Sequence, residues 1–309
     1  MTMRILVIGA GGVGGYYGAR LQEVGHDVVF AARGAHAEAM AAKGLKVFSQ
    51  RGDFHLPEVA LLDRLETPGD FDLVLVCVKL ADTQSAADIV KPLAGPGTAI
   101  LSLQNGIDGE AILGAALGRD DIMGGVSYIS AHIKEPGVIE HVTPHAKIVF
   151  GEFSGQETPR AKAILDAFSS ARFESELVGD IERQLWRKFV LLSAFAGACT
   201  LRGEDCGTLR ANPEGRQLYQ DLVAEAVAVG RAKGIDLPLE LEESVRGNLD
   251  KLPGPMKPSM LIDLERGKPL ELPWLSGSVA RLGDELGIDT PASDSVVAGL
   301  ADRVMGAQG

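Results

Sequence analysis

Near its start the chain reads Arg4-Ile5-Leu6-Val7-Ile8-Gly9-Ala10-Gly11-Gly12-Val13-Gly14-Gly15. An apolar run stops at glycines and a segment with helical spacing follows, which is the pattern of a strand, a tight turn and a helix. In this unit the first glycine permits the turn, the second lets the backbone approach a ligand, and the third lets the helix pack on its strand. The helix N-terminus adds unsatisfied N–H groups and partial positive charge. We predict that a dinucleotide binds here, with its diphosphate against Gly9, Ala10, Gly11, Gly12, Val13 and Gly14.

Length and composition narrow the class of protein. A chain of 309 residues with 46% hydrophobic content can form two domains. A formal net charge of −12 argues against nucleic acid or an anionic membrane as the main partner. No secretory signal pattern opens the chain, and the apolar stretch Phe189 to Leu201 is too short to span a bilayer. Cys77, Cys199 and Cys206 form no CxxC motif, so we expect reduced thiols and a soluble, cytoplasmic protein.

Strands and helices alternate up to about residue 150. The predicted strands are Arg4–Ala10, Asp27–Ala32, Leu45–Ser49, Phe71–Val78 and Thr98–Leu103. Such alternation predicts a doubly wound parallel sheet of the Rossmann type, which binds ligands at the carboxyl ends of its strands. Three short strands are then expected at Ile122–Ala131, Gly137–Thr143 and Lys147–Phe153, before a helix at Pro159–Ser170 and a strand near Glu174–Val178.

From Gly179 onward every segment with a clear period is helical. The predicted helices are Ile181–Leu201, Pro213–Lys233, Leu239–Leu249, Ser259–Arg266, Trp274–Glu285 and Pro291–Met305. We therefore expect an α/β dinucleotide-binding domain over residues 1–178 and an all-α domain, carrying substrate and catalytic groups, over residues 179–309.

The end of the second strand indicates which dinucleotide binds. NAD-binding folds usually place Asp or Glu there for the ribose 2′-hydroxyl, whereas this chain has Phe30-Ala31-Ala32-Arg33-Gly34. Arg33 offers a planar cation to a 2′-phosphate, and one such bond is worth roughly 1.5–3 kcal/mol. The pattern favours NADPH/NADP⁺ over NADH; the alternative is a solvated arginine in a loop.

Two further polar residues end neighbouring strands on the same edge as the glycine turn. Lys79 follows one buried strand, and Asn105 follows the next. Each alone could be a solvated strand end or part of a turn. Together at the ligand edge they indicate contact with coenzyme or substrate, with Lys79 attracting a carboxylate and Asn105 donating an amide hydrogen bond.

Lys188 is the strongest catalytic candidate. It lies at the start of the most apolar predicted helix, and Leu192 and Ala196 follow it at intervals of four, so its side chain emerges along an apolar stripe. Partial desolvation there would lower the pKa from about 10.4, which suits a general acid that protonates the oxygen formed as hydride arrives. The alternative is a lysine whose ammonium reaches solvent. The six histidines show no metal-ligand grouping, so no metal is expected.

The chain resembles the ketopantoate reductase family, the NADPH-dependent 2-dehydropantoate 2-reductases, over nearly its whole length. The segments that carry the resemblance are Gly9 to Gly14, Arg33, Val78-Lys79, Gln104-Asn105-Gly106, Pro136 to His141, Leu185 to Lys188, and Pro258 to Asp263. The resemblance implies cytoplasmic reduction of 2-dehydropantoate to (R)-pantoate, in pantothenate and coenzyme A synthesis. It implies a small 2-oxo acid as the partner, with no nucleic acid or membrane, and leaves a homodimer open.

The resemblance also implies residue roles. Lys188 would donate the proton, and Glu271 would support the nicotinamide end and the catalytic geometry. Ser259 would contact the substrate carboxylate, although from the sequence alone it is equally a helix N-cap after Pro258. Asn105 would lie between coenzyme and substrate, and Ala131 completes the expected coenzyme contacts.

The chain departs from the family pattern where the substrate would bind. Leu192, Ala196 and Cys206 stand where the family places asparagines. Fewer amides leave fewer partners for a substrate hydroxyl, so the reaction type is better defined than the substrate. The alternatives are a paralogous enzyme acting on another, larger or less polar 2-oxo or 2-hydroxy acid, and a protein that senses NADPH without turnover.

Overall fold

In the computed structural model, which describes residues 2–64 and 71–307, the opening apolar run is strand β1 (Arg4–Ile8). Helix α1 (Gly12–Glu23) follows the glycine turn. Contacts divide the chain into two compact units, Met1–Ile181 and Glu182–Gly309. The functional division into residues 1–178 and 179–309 stays a prediction.

The first unit contains two sheets and the helices that cover them. Its further strands are β2 (Asp27–Ala31), β3 (Leu45–Ser49), β4 (Phe54–Leu56), β5 (Ala60–Leu61), β6 (Leu73–Val76), β7 (Ala99–Ser102), β8 (Gly124–Glu135), β9 (Val138–Gly151) and β10 (Glu174–Leu177). Its further helices are α2 (Gly34–Lys43), α3 (Thr83–Val90), α4 (Gly109–Leu117) and α5 (Pro159–Ser170).

The first sheet has the order β5-β2-β1-β6-β7, and its strand pairs are all parallel. Alternate residues of the central strands enter two different apolar clusters: Ile5 and Val7 belong to one, and Leu6 and Ile8 to the other. Both faces of these strands are therefore covered, which explains why they read as continuous apolar runs. The predicted Rossmann-type sheet is confirmed.

The second sheet differs from the prediction. Its order is β10-β9-β3-β4, with β8 on the other edge of β9. The segments predicted as separate strands at Gly137–Thr143 and Lys147–Phe153 form the single strand β9, which pairs antiparallel with β8. Pro144 lies between the two predicted segments. The β8–β9 register shifts between Ile129 and Ala131, so the proline, which has no N–H to donate, lies at an irregularity of the ladder.

Helix α1 packs against both sheets. An added Cβ at Gly14 would lie 2.9 Å from Val7 of β1, and one at Gly15 would lie 2.9 Å from Ile139 of β9. These glycines let the helix backbone approach strands on either side. The strand–turn–helix unit is thus at the centre of the first unit's core.

The second unit is helical in its described part, residues 182–307. The helices are α6 (Ile181–Arg202), α7 (Cys206–Ala211), α8 (Pro213–Ala232), α9 (Leu241–Lys251), α10 (Ser259–Glu265), α11 (Ser276–Leu286) and α12 (Pro291–Leu300). The short α7 was not predicted, because six residues are too few to show a period. The predicted all-α second part of the chain is confirmed.

Candidate functional site

The glycine turn after β1 has the geometry that a diphosphate site needs. Gly9 adopts φ +94°, and a Cβ there would lie 2.8 Å from the Val78 side chain. A Cβ at Gly14 would lie 2.2 Å from the Gly9 carbonyl oxygen, so this glycine permits the close contact between helix and turn. A Cβ at Gly11 would meet nothing within 4 Å. The open side of the turn is therefore at Gly11, where the sequence predicts the ligand's approach.

Gly12 and Ala131 meet where α1 begins. A Cβ on Gly12 would lie 2.0 Å from the Ala131 carbonyl oxygen of β8, so only glycine fits this contact. Ala10 is buried beside it, and Val13 is packed against the core. The structure thus brings the predicted diphosphate residues and Ala131 together at one end of α1.

Arg33 lies across a cavity from the glycine turn. This cavity has a volume of about 520 Å³ and is lined by Gly9, Ala10, Gly11, Arg33 and residues of α2 and α3. The Arg33 side chain is 77% exposed, with its guanidinium 3.4 Å from the Asp82 carboxylate. A concave space that joins an open glycine turn to an exposed cation fits a dinucleotide with a phosphorylated ribose.

His36 and Asp82 also line this cavity and were missed in the sequence. The His36 Nδ1 accepts a hydrogen bond from the Gly137 N–H at 3.0 Å, and burial lowers the pKa of the ring. His36 is therefore a neutral residue that joins α2 to the β8–β9 turn. Neither residue has a sequence signal, because each reaches the cavity only through the pairing of separate strands.

Lys79 and Asn105 lie just beyond the carboxyl ends of β6 and β7, which are parallel neighbours with Val76 opposite Ser102. Both residues are partly exposed. The structure therefore places them at adjacent positions on the edge that carries the glycine turn. Gln104, which precedes Asn105 in the chain, has a buried side chain and was quoted in the sequence only as part of a motif.

Lys188 and Glu271, both in the second unit, interact electrostatically. Lys188 lies near the start of α6, and burial lowers its pKa to about 8, while the Glu271 carboxylate opposes this shift by favouring the ammonium. Glu271 is only 6% exposed. Glu271, which lies between Leu270 and Leu272 in the chain, thus has an electrostatic interaction with a lysine, and the pKa of Lys188 shifts in the direction predicted from the apolar stripe.

Ser259 is not the N-cap of α10. Pro258 holds that position, with extended dihedral angles, and no side chain caps the helix. Because Ser259 is already the first helical residue, its hydroxyl cannot serve the early N–H groups as a cap would. Ser259 is exposed, and the capping interpretation is wrong.

The three positions that depart from the family pattern are apolar or inward-facing. Leu192 is partly exposed, and Ala196 and Cys206 are buried. The Cys206 thiol donates to the Leu249 carbonyl at 3.6 Å, so it belongs to the packing of α7 on α9. All three cysteines are free thiols, and burial raises the pKa of Cys77 to about 12.

The described residues include neither a candidate metal site nor a candidate membrane-spanning helix. Within residues 2–64 and 71–307, no group of three or more His, Cys, Asp or Glu side chains could hold a metal ion. Over the same ranges, none of the helices combines the length and the apolar character needed to cross a membrane.

Comparison with known proteins gives matches along the chain. The model of the family "Ketopantoate reductase PanE/ApbA" matches residues 5–155, and that of its C-terminal domain matches residues 180–303. The chain is 34% identical over 299 residues to the uncharacterized oxidoreductase YkpB of Bacillus subtilis, covering 96% of this chain and 98% of that protein. It is 29% identical over 317 residues to the 2-dehydropantoate 2-reductase of Mesorhizobium japonicum, covering 96% of each. The crystal structure of 2-dehydropantoate 2-reductase from Geobacter metallireducens superposes with a TM-score of 0.89 at 34% identity, covering 97% of this chain and 99% of that one.

Proposed function

Because the chain belongs to the ketopantoate reductase family, we propose that it reduces 2-dehydropantoate to (R)-pantoate with NADPH. Membership makes it an NADP-dependent oxidoreductase that acts on a 2-oxo acid. The identity of the substrate, the boundary between coenzyme and substrate domains and the role of each residue belong to the proposal.

The coenzyme contacts would come from the first unit. NADPH, when bound, supplies the hydride that reduces the keto carbon. The open backbone at Gly11 and the N–H groups that begin α1 would hold the diphosphate. Arg33, across the 520 Å³ cavity, would bind the 2′-phosphate. Lys79 and Asn105 would act further along the same edge.

The observation that carries the proposal is the Lys188–Glu271 pair. A keto oxygen gains negative charge as its carbon is reduced, and an ammonium of pKa about 8 can neutralise that charge by giving up a proton. At neutral pH most of the lysine is still protonated, because the pKa lies above the ambient pH. Glu271 would keep it so, since a nearby carboxylate favours the charged form.

The substrate contacts would come from Ser259, Asn105 and Lys188. The exposed Ser259 hydroxyl, which does not cap its helix, is available to a carboxylate. Asn105 can donate its amide to the keto or carboxylate oxygens, and Lys79 can add positive charge. These groups recognise the 2-oxo acid portion shared by many substrates.

The second candidate is reduction of a different 2-oxo acid with a less polar side chain. It is favoured by Leu192, an apolar and partly exposed residue that lies four positions after Lys188 on α6 and therefore on the same side of the helix. A leucine contributes no hydrogen bond to a substrate hydroxyl, so discrimination in favour of 2-dehydropantoate would be weaker.

NADPH oxidation measured against a panel of 2-oxo acids tests the proposal. We expect the highest kcat/KM with 2-dehydropantoate, and a loss of about 10²–10⁴-fold in Lys188→Ala. Highest kcat/KM with a branched or aromatic 2-oxo acid would support the second candidate instead. Full activity of Lys188→Ala would overturn the assignment of the proton donor.

A further inference from the structure

The buried amide of Gln104 crosslinks the two strand ends that carry Lys79 and Asn105. Gln104 is 6% exposed, and its Nε2 donates to the Val78 carbonyl at 3.1 Å and to the Thr83 hydroxyl at 2.8 Å. These two acceptors occupy both N–H groups of the amide. One side chain from the β7 end therefore holds the segment that follows β6.

The crosslink reaches both sides of Lys79. Val78, whose carbonyl accepts directly, precedes Lys79 in the chain. The Thr83 hydroxyl, which accepts from Gln104, donates in turn to the carbonyl of Leu80, the residue after Lys79, at 2.8 Å. Thr83 is fully buried, so water cannot replace these bonds without opening the structure.

The other end of the amide is fixed as well. The Ser102 hydroxyl, at the end of β7, lies 3.5 Å from the Gln104 Oε1 and accepts from the Gln104 backbone N–H at 3.4 Å. A Cβ at Gly109 would lie 2.9 Å from that Oε1, so the start of α4 closes over the amide. Gln104 thus has a single orientation, set by β7, α3 and α4 together.

We propose that Gln104 is a positioning residue for the reaction, which holds Lys79 and Asn105 at a fixed separation through its amide and the Thr83 hydroxyl. The proposal rests on the proposed function, which gives Lys79 and Asn105 their roles. A displacement of about 1 Å in such groups can cost about 100-fold in rate, so a buried bond that fixes two strand ends has a direct effect on turnover.

The test compares Gln104→Met, which has a similar length and no donor, with Thr98→Val. Thr98 is a matched control: it is also buried, and its hydroxyl joins the same two strands at their opposite ends, donating to the Phe71 carbonyl at 2.8 Å. We expect kcat/KM to fall about 10–100-fold in Gln104→Met and to stay near wild type in Thr98→Val. Thr83→Val should resemble Gln104→Met, and the double variant should lose little more than either single one.

Two readouts separate positioning from general damage. Binding of 2′,5′-ADP, whose phosphates would contact the glycine turn and Arg33, should be unchanged in Gln104→Met. Hydrogen exchange of the peptide containing Lys79 should be faster in Gln104→Met and Thr83→Val than in Thr98→Val. Unchanged exchange and kcat/KM in Gln104→Met, or equal losses in Thr98→Val, would overturn the proposal.

The variants Lys79→Ala and Asn105→Ala distinguish a failure of the positioning role of Gln104 from a failure of the proposed function. If both lower kcat/KM while Gln104→Met does not, the site stands and the positioning role is wrong. If neither lowers kcat/KM, the roles given to Lys79 and Asn105 are wrong, and the positioning role falls with them.

Discussion

Lys188 must be protonated to act as an acid, and its pKa of about 8 sets the pH range of the reaction. We expect kcat/KM for reduction to be high below pH 8 and to fall about tenfold per pH unit above it, because the ammonium is then lost. The profile can be measured by NADPH oxidation from pH 6 to 10.

Glu271→Gln removes the carboxylate that raises the pKa of Lys188, so the descending limb of the pH profile should move to lower pH. A limb that stays in place or moves to higher pH would contradict the pairing.

Arg33 should determine the preference for the phosphorylated coenzyme. An arginine–phosphate bond is worth roughly 1.5–3 kcal/mol, and the 77% exposure of this side chain places the effect at the lower end. We expect Arg33→Ala to lower kcat/KM for NADPH about tenfold and to leave that for NADH unchanged. Similar values for both coenzymes in the wild type would show that Arg33 does not select between them.

Asp82 supplies the matched control for Arg33. Its carboxylate lies 3.4 Å from the guanidinium and would compete with a 2′-phosphate for it. Asp82→Asn should therefore lower the KM for NADPH, in the opposite direction to Arg33→Ala. A higher KM in Asp82→Asn would mean that the carboxylate orients Arg33 rather than competing for it.

At the scale of elements, two adjacent glycines at the start of α1 should respond differently to the same substitution. In Gly12→Ala the Cβ would meet the Ala131 carbonyl oxygen, so α1 must move from β8, and we expect a loss of about 1–3 kcal/mol of stability. In Gly11→Ala the Cβ meets no protein atom within 4 Å, so stability should be unchanged. The methyl would instead occupy the ligand's side of the turn and weaken NADPH binding.

Thermal unfolding without coenzyme and NADPH titration by fluorescence separate the two effects. Gly12→Ala should lower the Tm, and Gly11→Ala should raise the Kd at wild-type Tm. A lower Tm in Gly11→Ala would show that its backbone faces protein rather than ligand.

The β8–β9 hairpin shows where local patterns fail. The segments around Pro144 have strand-like patterns, but whether a proline ends a strand or lies at a bulge depends on the partner strand. The start of α5 at Pro159, by contrast, was predicted correctly, because Thr158 accepts from the Ala161 N–H and a proline begins the first turn, both of them local signals. The end of a helix could be predicted where neighbouring residues in the chain cap it. The ends of strands that depend on pairing with a distant strand could not be predicted.

At the scale of the whole molecule, the same distinction separates the first sheet from the second. The central strands of the first sheet are apolar on both faces, so the sequence alone indicates a buried parallel sheet. The second sheet depends on β3 pairing with β9, which lies far away in the chain. The same distinction applies to the candidate site. The glycine motif predicted the turn and the apolar stripe on α6 predicted the pKa shift of Lys188, whereas the contact of Asp82 with Arg33 depends on the fold and could not be predicted.

An ion network joins the two sheets of the first unit at one end. Arg160 of α5 bonds Asp121, in the connection from α4 to β8, at 2.6 Å, and Glu152, which follows β9, at 2.6 Å. Arg119 also binds Asp121 and donates to the Thr98 carbonyl at the start of β7. The hydrogen bond from Arg119 is the main cause that lowers the pKa of Asp121. Burial raises the pKa of Glu152, but the hydrogen bond from Arg160 and other contacts outweigh this effect, so that the pKa is lowered.

We expect Arg160→Met to lower the free energy of unfolding by about 3 kcal/mol at pH 7, because Glu152, only 7% exposed, would lose its cation. Lys162→Met, on the same helix, is the control: its pair with Glu157 is exposed and should contribute nothing measurable.

The contribution of the network should depend on pH, because the pKa values of both carboxyl groups are lower in the folded than in the unfolded state. The network stabilises the fold fully above the unfolded-state pKa values, near 4, and this contribution is lost as the pH falls through the folded-state pKa values. Denaturant titrations should therefore show a smaller difference between Arg160→Met and wild type at pH 3 than at pH 7. An equal difference at both pH values would mean that Arg160 acts through packing rather than charge.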